Sequence, residues 1–242
     1  MSTRLIQLQP AYVLHHRPYR DTSRILELFT RDHGRVTVFA RGARGSSKKG
    51  ASSMSMLQPF NRLLVSWSAG AEAGTLTAVE FDGTYRLLQA DRLVSGYYLN
   101  ELLLKLFARH DAHADVFALY AHTLEVLKAS GSPLAPLRVF EKRLLEALGY
   151  GLPLTHDVAG VPIDADRAYR YRFEQGAIAA SDVAEGPSIY SGAVLLALAA
   201  EALDDAQLCQ AIRPLLRGAL DRVLEGRELK SRQVMMELRK LT

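Results

Sequence analysis

Over the first third of the chain, apolar and polar residues alternate in short runs; beyond residue 83 the spacing lengthens to that of helices. Residues 4–16, RLIQLQPAYVLHH, read as a first strand in which Tyr12 and Leu14 alternate with Val13 and His15. Residues 23–30, SRILELFT, predict a second strand. Asp32, His33 and Gly34 follow as a turn, the glycine able to take the positive φ of a tight hairpin. Residues 35–41, RVTVFAR, predict a third strand with Val36, Val38 and Ala40 on one face and Thr37 and Phe39 on the other. A loop of small and basic residues, GARGSSKKGASSM, comes next. Residues 57–68 predict a fourth strand after Pro59, and residues 75–81 a fifth. Five short strands with turn signals between them predict a small barrel, with the OB-fold as the leading candidate and an SH3-like barrel as the alternative.

After Gly83 the pattern is helical. Residues 87–109 place Leu93, Tyr97, Leu102 and Leu106 on a broad apolar stripe. A second helix is predicted over 114–129. Gly131, Ser132 and Pro133 then supply a stop, an N-cap and a first-turn proline for a third helix over 133–148, with Gly149 as its C-terminal cap. Residues 150–190 are punctuated by glycine and proline, and the runs 168–174 and 177–180 around Gln175 and Gly176 predict a small β-hairpin. Helices resume over 192–202 and from Asp205, whose side chain can cap the next one. Pro214 predicts a kink or break in that helix. A last helix is predicted over 231–241. The fold class is therefore α+β: a five-stranded N-terminal barrel domain, residues 1–82, and a mainly α-helical domain, residues 83–242, with an irregular hairpin insert at 150–190.

Composition adds bounds. At 242 residues, 48% hydrophobic and 23% charged, the chain is an ordinary globular sequence. It has no apolar run of about 18 residues, so no transmembrane helix is expected, and its N-terminus lacks a signal-peptide core. A cytoplasmic location is expected. The single cysteine, Cys209, excludes an internal disulfide and any multi-cysteine metal site.

Charge changes the picture most. Residues 1–70 hold 11 Lys or Arg against 3 Asp or Glu, whereas residues 71–242 hold 19 against 23. The excess is concentrated between residues 17 and 50, and a basic loop on the edge of a small β-domain suits a polyanion. Arg35, Arg41, Arg44, Lys48 and Lys49 are the first candidates for phosphate contact, with Arg17, Arg20 and Arg24 around the turn into the second strand. Among Tyr12, Tyr19, Phe39, Phe60 and Trp67, the residue placed best for stacking on a base is Tyr19, in a polar turn between Pro18 and Arg20. The third helix has its own basic patch, Arg138, Lys142 and Arg143, beside apolar Leu137, Phe140 and Leu144. A cationic edge over an apolar floor suits a short acidic peptide. Arg170, Arg172, Lys230, Arg232, Arg239 and Lys240 would extend a basic track. No nucleotide-binding loop, HExxH or GxSxG motif is present, and the glutamates lie among apolar helix residues, so an enzyme is not expected. A second reading is an RNA- or ribosome-associated OB-fold protein.

The segments YVLHHRPYRDTSRILELFTRDHGRVTVFARGAR (12–44), LQPF (57–60), YYLNELLLKL (97–106), LRVFEKRLLEALGYG (137–151) and LKSR (229–232) together resemble the RecO family of bacterial recombination mediators. The resemblance implies an N-terminal OB-fold and a helical domain. It implies binding of single- and double-stranded DNA, annealing of complementary strands, and action in the nucleoid through the RecF pathway of DNA repair. It further implies partnership with RecR and with the acidic C-terminal tail of single-stranded DNA-binding protein, leading to RecA loading; participation of RecF itself is left open. On this resemblance Arg138, with Lys142 and Arg143, is the candidate site for the acidic tail. Many members carry a four-cysteine zinc site in the part corresponding to residues 150–190. Here that part has no cysteine, and His156 with Asp157 makes a poor zinc site, so a metal-free branch without cofactors is expected.

Overall fold

A computed structural model describes residues 4–20, 23–41, 55–70, 73–83, 87–129, 131–180 and 188–241. Its strands are β1 (Leu5–Tyr19), β2 (Ser23–Thr30), β3 (Gly34–Ala40), β4 (Arg62–Ser68), β5 (Gly74–Phe81), β6 (Ala168–Arg172), β7 (Gly176–Ala179) and β8 (Ile189–Ser191). Its helices are α1 (Leu93–Leu106), α2 (Ala114–Lys128), α3 (Leu134–Ala147), α4 (Gly192–Ala199), α5 (Ala206–Leu224) and α6 (Lys230–Leu241). The chain divides into two compact units, Met1–Ala129 with Leu229–Thr242, and Ser130–Glu228. Strands give way to helices near residue 83, yet the spatial division falls elsewhere, because α1, α2 and α6 belong with the barrel.

In the first unit the five strands close in the order β1-β2-β3-β5-β4, the strand order of an OB-fold. β1 is long because it serves two neighbours. Its first half runs against β4, from Leu5 opposite Ser68 to Tyr12 opposite Arg62, and its second half against β2, from Ala11 opposite Thr30 to Tyr19 opposite Ser23. The sole parallel pair among these strands, β3 with β5, meets at Val38 opposite Gly74 and Phe39 opposite Thr75. Ala11, Val13, Leu26, Leu28, Val36, Val38 and Trp67 fill the interior, so of the two predicted faces of β3 it is the one with Val36, Val38 and Ala40 that turns inward.

The alternate side chains Tyr12, Leu14 and Phe29 point out of the barrel and are buried all the same. Helix α2 covers Tyr12 and Phe29: the Tyr12 ring lies 5.0 Å from Tyr120 and 5.5 Å from Phe117, and Phe29 lies 5.7 Å from Phe117. Tyr12 is thus core, but the core outside the barrel; burial pushes its hydroxyl up to about 12.

One polar device ties the helices to the strands, and a second joins two helices. The register of β1 against β2 shifts between Val13 and His15, leaving Leu14 as the bulged residue. Its carbonyl accepts from Asn100 Nδ2 of α1 at 2.8 Å, and Asn100 Oδ1 accepts from the Tyr120 hydroxyl of α2 at 2.5 Å. At the other helix pair, the Glu101 carboxylate accepts from the backbone N–H of Lys230 and Ser231, both at 2.9 Å, and from the Ser231 hydroxyl at 2.6 Å. Glu101 therefore caps α6 from a neighbouring helix, meeting its unpaired N–H groups with a negative charge. Gly96 lets α1 sit against Phe60 and Leu88, since a Cβ there would lie 2.7 Å from the Phe60 ring.

The second unit holds α3, α4 and α5 with a sheet in the order β7-β6-β8. The predicted hairpin is β6 and β7; β8, three residues long, carries no periodicity to read. Three further expectations are corrected. β4 starts at Arg62, because Phe60 has a left-handed φ of 71° and Asn61 donates back to Met56 O, which makes residues 57–61 a turn. A short 3-10 turn, Ala90–Arg92, precedes α1. Finally, α5 runs through Pro214 without a break: Cys209, Ile212, Leu215, Leu216 and Leu220 continue one buried face across it, and that packing outweighs the lost hydrogen bond.

Candidate nucleic-acid interface

The strand register brings part of the predicted basic set to one end of the barrel. Arg24 lies opposite Pro18 on one side and Ala40 on the other, and Arg17 lies opposite Ile25. Arg20 and Arg41 follow directly on the ends of β1 and β3. Arg20 sits at a left-handed φ of 52°, which turns the chain out of β1. Arg17, Arg20 and Arg41 are exposed and Arg24 is half-buried; none of the four has a carboxylate partner among the described residues. Tyr19 is half-buried, its ring 5.0 Å from Phe39 with the Arg20 guanidinium 5.3 Å above it. Cations over and around an aromatic pair make a surface that can neutralise phosphates and offer a ring edge to a base. Arg44, Lys48 and Lys49 lie outside the described residues.

Arg35 is placed differently from the expectation, and the cause is the end of α1. Its guanidinium donates to the carbonyls of Leu104 and Phe107, both at 2.6 Å, and lies 3.5 Å from Glu27. The last carbonyls of a helix lack intrahelical donors, and Arg35 supplies them. With its side chain 12% exposed, it is a structural cap rather than a surface charge. Burial pushes its guanidinium below the usual value, and Glu27 opposes that shift. Glu27 also accepts from Thr37 Oγ1 at 2.9 Å and Arg109 Nη2 at 2.6 Å. A strand-initial arginine after a turn gives no sign of this role, because the helix it caps lies some 70 residues on.

The structure sets the basic patch on α3 against carboxylates. Arg138 is 8% exposed, with Nη1 3.0 Å from Glu141. Lys142 lies 2.9 Å from Glu201 and 3.1 Å from Glu146. Arg143 meets Glu201 with both Nε, at 2.9 Å, and Nη2, at 2.5 Å. Burial would lower the Lys142 pKa, but its bonds to Glu201 and Glu146 outweigh that and raise it; Glu201 is held low chiefly by the Arg143 hydrogen bond. Leu137, Phe140 and Leu144, expected as an open apolar floor, are buried where α3 packs on α5. A cavity of about 220 Å³ does adjoin α3, but it is lined by Asp204 and Cys209 rather than by cations. His156 and Asp157 have local work: Thr155 Oγ1 lies 3.1 Å from His156 Nδ1, and Asp157 Oδ1 accepts from the N–H of Ala159 and Val161. No helix among the described residues is long and apolar enough to cross a membrane.

Comparison with known proteins covers both halves. Residues 1–85 match the family described as "Recombination protein O N terminal", and residues 87–233 match "Recombination protein O C terminal". A DNA repair protein RecO from Dechloromonas aromatica is 41% identical over 239 residues, covering 98% of each chain. One from Coxiella burnetii is 42% identical over 238 residues, covering 96% of this chain and 99% of its own. One from Alkalilimnicola ehrlichii is 44% identical over 241 residues, covering 98% and 94%. Matched in both halves and along nearly its whole length, the chain belongs to the RecO family of DNA repair and recombination proteins.

Proposed function

We propose that this protein is a recombination mediator that binds single- and double-stranded DNA, brings complementary strands together, and works with RecR and the acidic tail of single-stranded DNA-binding protein to load RecA. Family membership supports the setting. The observation that carries the contact is the barrel end where Arg17, Arg20, Arg24 and Arg41 lie at the joined ends of β1, β2 and β3, with the Arg20 guanidinium over the Tyr19 ring beside Phe39. Phosphate contacts there release counterions without reading sequence, and two strands neutralised on one surface pair faster because their mutual repulsion is reduced. No covalent chemistry is required. Arg44, Lys48 and Lys49 are proposed as further phosphate contacts. At α3 the acidic tail would have to replace Glu141 and Glu201 as partner of Arg138, Lys142 and Arg143, so Arg138→Ala should weaken tail-peptide binding more than DNA binding. The protein acts in the cytoplasm at the nucleoid. Nothing in the comparisons supports an RNA- or ribosome-associated role.

Anisotropy titrations of a labelled oligo-dT strand at several salt concentrations test the DNA contact. Four phosphate contacts give a slope of log K against log salt near about −2.8, at about 0.7 per contact for single strands. Neutralising Arg20 and Arg41 together should reduce the slope by about 1.4. A salt-independent affinity would overturn the contact.

A further inference from the structure

We propose that Tyr19 lets the barrel end tell single-stranded DNA from duplex: an unpaired base takes the place of the Arg20 guanidinium on the Tyr19 ring and frees that cation for a phosphate. The inference rests on the reading of the barrel end as the DNA contact, and deepens it by separating the residue that engages bases from those that hold phosphates.

Strand register builds the platform. Arg17 on β1 stands opposite Ile25 on β2, and Ile25 opposite Phe39 on β3, so the three form one row across one face of the sheet. Side chains alternate along a strand, so Tyr19, two residues after Arg17, shares that face, with Ser23 opposite it. Val36 and Val38 turn the other way, into the barrel, which makes this the outer face. Ile25 is 8% exposed and gives the face an apolar floor. Tyr19 and Phe39 are half-buried above it. Their rings meet 5.0 Å apart and tilted by 48°, so Phe39 holds Tyr19 from one side without lying flat on it.

The group over Tyr19 is one that can leave. The Arg20 guanidinium lies 5.3 Å from the ring centroid, and Arg20 is exposed, at a left-handed φ of 52°. Residues other than glycine seldom adopt that backbone, and such positions gather at functional sites. An exposed cation over a ring shifts an equilibrium about two- to fivefold, whereas a base stacked on a ring shifts it about fivefold to a hundredfold or more. The base therefore wins the ring, and the displaced guanidinium gains a phosphate. Duplex DNA does not make this exchange. Its bases are paired and stacked, and flipping one out to the ring costs about as much as the stack returns. Duplex thus meets the arginines alone.

The test compares three labelled ligands on the full-length chain by anisotropy: oligo-dT, a strand of equal length with an abasic sugar in place of every thymidine, and a duplex. The wild type should bind oligo-dT about fivefold or more tightly than the abasic strand, which has the same phosphates. Its slope of log K against log salt should be steeper for oligo-dT by about 0.7, the one contact that Arg20 adds. Tyr19→Leu should bind the two strands alike and with equal slopes, and should bind duplex no more weakly than the wild type does. Tyr19→Phe should keep the preference. Equal wild-type affinity for the two strands overturns the proposal without any variant. A preference that survives Tyr19→Leu also overturns it, by placing the stack on another ring. So does a loss shared by all three ligands in Tyr19→Leu, which would make the ring a structural support. Equal wild-type slopes overturn the exchange with Arg20. Steep salt dependence without a base preference would keep the phosphate contact and sink this inference alone, whereas affinities independent of salt would sink both.

Discussion

Asn100 offers the sharpest test of how the barrel is joined to its helices. It is 2% exposed, and it connects the bulge carbonyl of Leu14 with the hydroxyl of Tyr120. Asn100→Leu keeps the volume and removes both bonds. Two buried polar groups are then left without partners, each at about 1–3 kcal/mol, so a loss of about 3 kcal/mol is expected for the first unit. Trp67, the single tryptophan, lies inside the barrel and reports that unit alone. In urea denaturation followed by Trp67 fluorescence, with a slope of about 2 kcal/mol per molar, the midpoint should fall by about 1.5 M. Tyr120→Phe should cost about 1 kcal/mol in the wild type and much less in the Asn100→Leu background, since its partner is already gone. A midpoint shift below about 0.3 M for Asn100→Leu, or equal costs of Tyr120→Phe in both backgrounds, would refute the reasoning.

Three further outcomes are expected. Gly34→Ala should abolish soluble expression or lower the Trp67 midpoint by more than about 1 M, because Gly34 has φ of 61° and its Cβ would lie 1.9 Å from Asp111 O; Gly83→Ala, with φ of 91° and open space around it, should meet only the conformational cost. The Glu101 carboxyl, which burial would raise, is held below its ordinary 4.5 by the Ser231 and Lys230 donors. Its contribution to anchoring α6 is therefore complete above about pH 4.5 and is lost as pH falls through the lower folded value; hydrogen exchange of the α6 amides should show this loss in the wild type and not in Glu101→Gln. Arg35→Gln should lower the Trp67 midpoint and leave the salt slope of oligo-dT binding unchanged, whereas Arg20→Gln should do the reverse; the same slope change for both would return Arg35 to the DNA surface.

Alternation, turn residues and helical period by themselves placed β2 at its observed bounds, separated the two faces of β3, and located α2, α3 and α6 to within a residue or two of their observed ends. These features depend on local backbone preference and on which faces must avoid water, and both are written in neighbouring residues. The asymmetry of charge was also legible, as was the convergence of Arg17, Arg20 and Arg24 around one turn. Which cations stay at the surface was not. Arg35 looks like its neighbours along the chain, and only the arrival of α1 about 70 residues later gives its guanidinium two carbonyls to cap. Arg138, Lys142 and Arg143 read as an open patch until Glu141 and Glu201 are seen against them. A cavity between β1, α1 and α6 is assembled from residues as distant as Leu14 and Val234. Sequence carries the propensity and polarity of each residue, while pairing of charges and enclosure of a cavity depend on which distant surfaces meet, and that is decided only when the chain has folded.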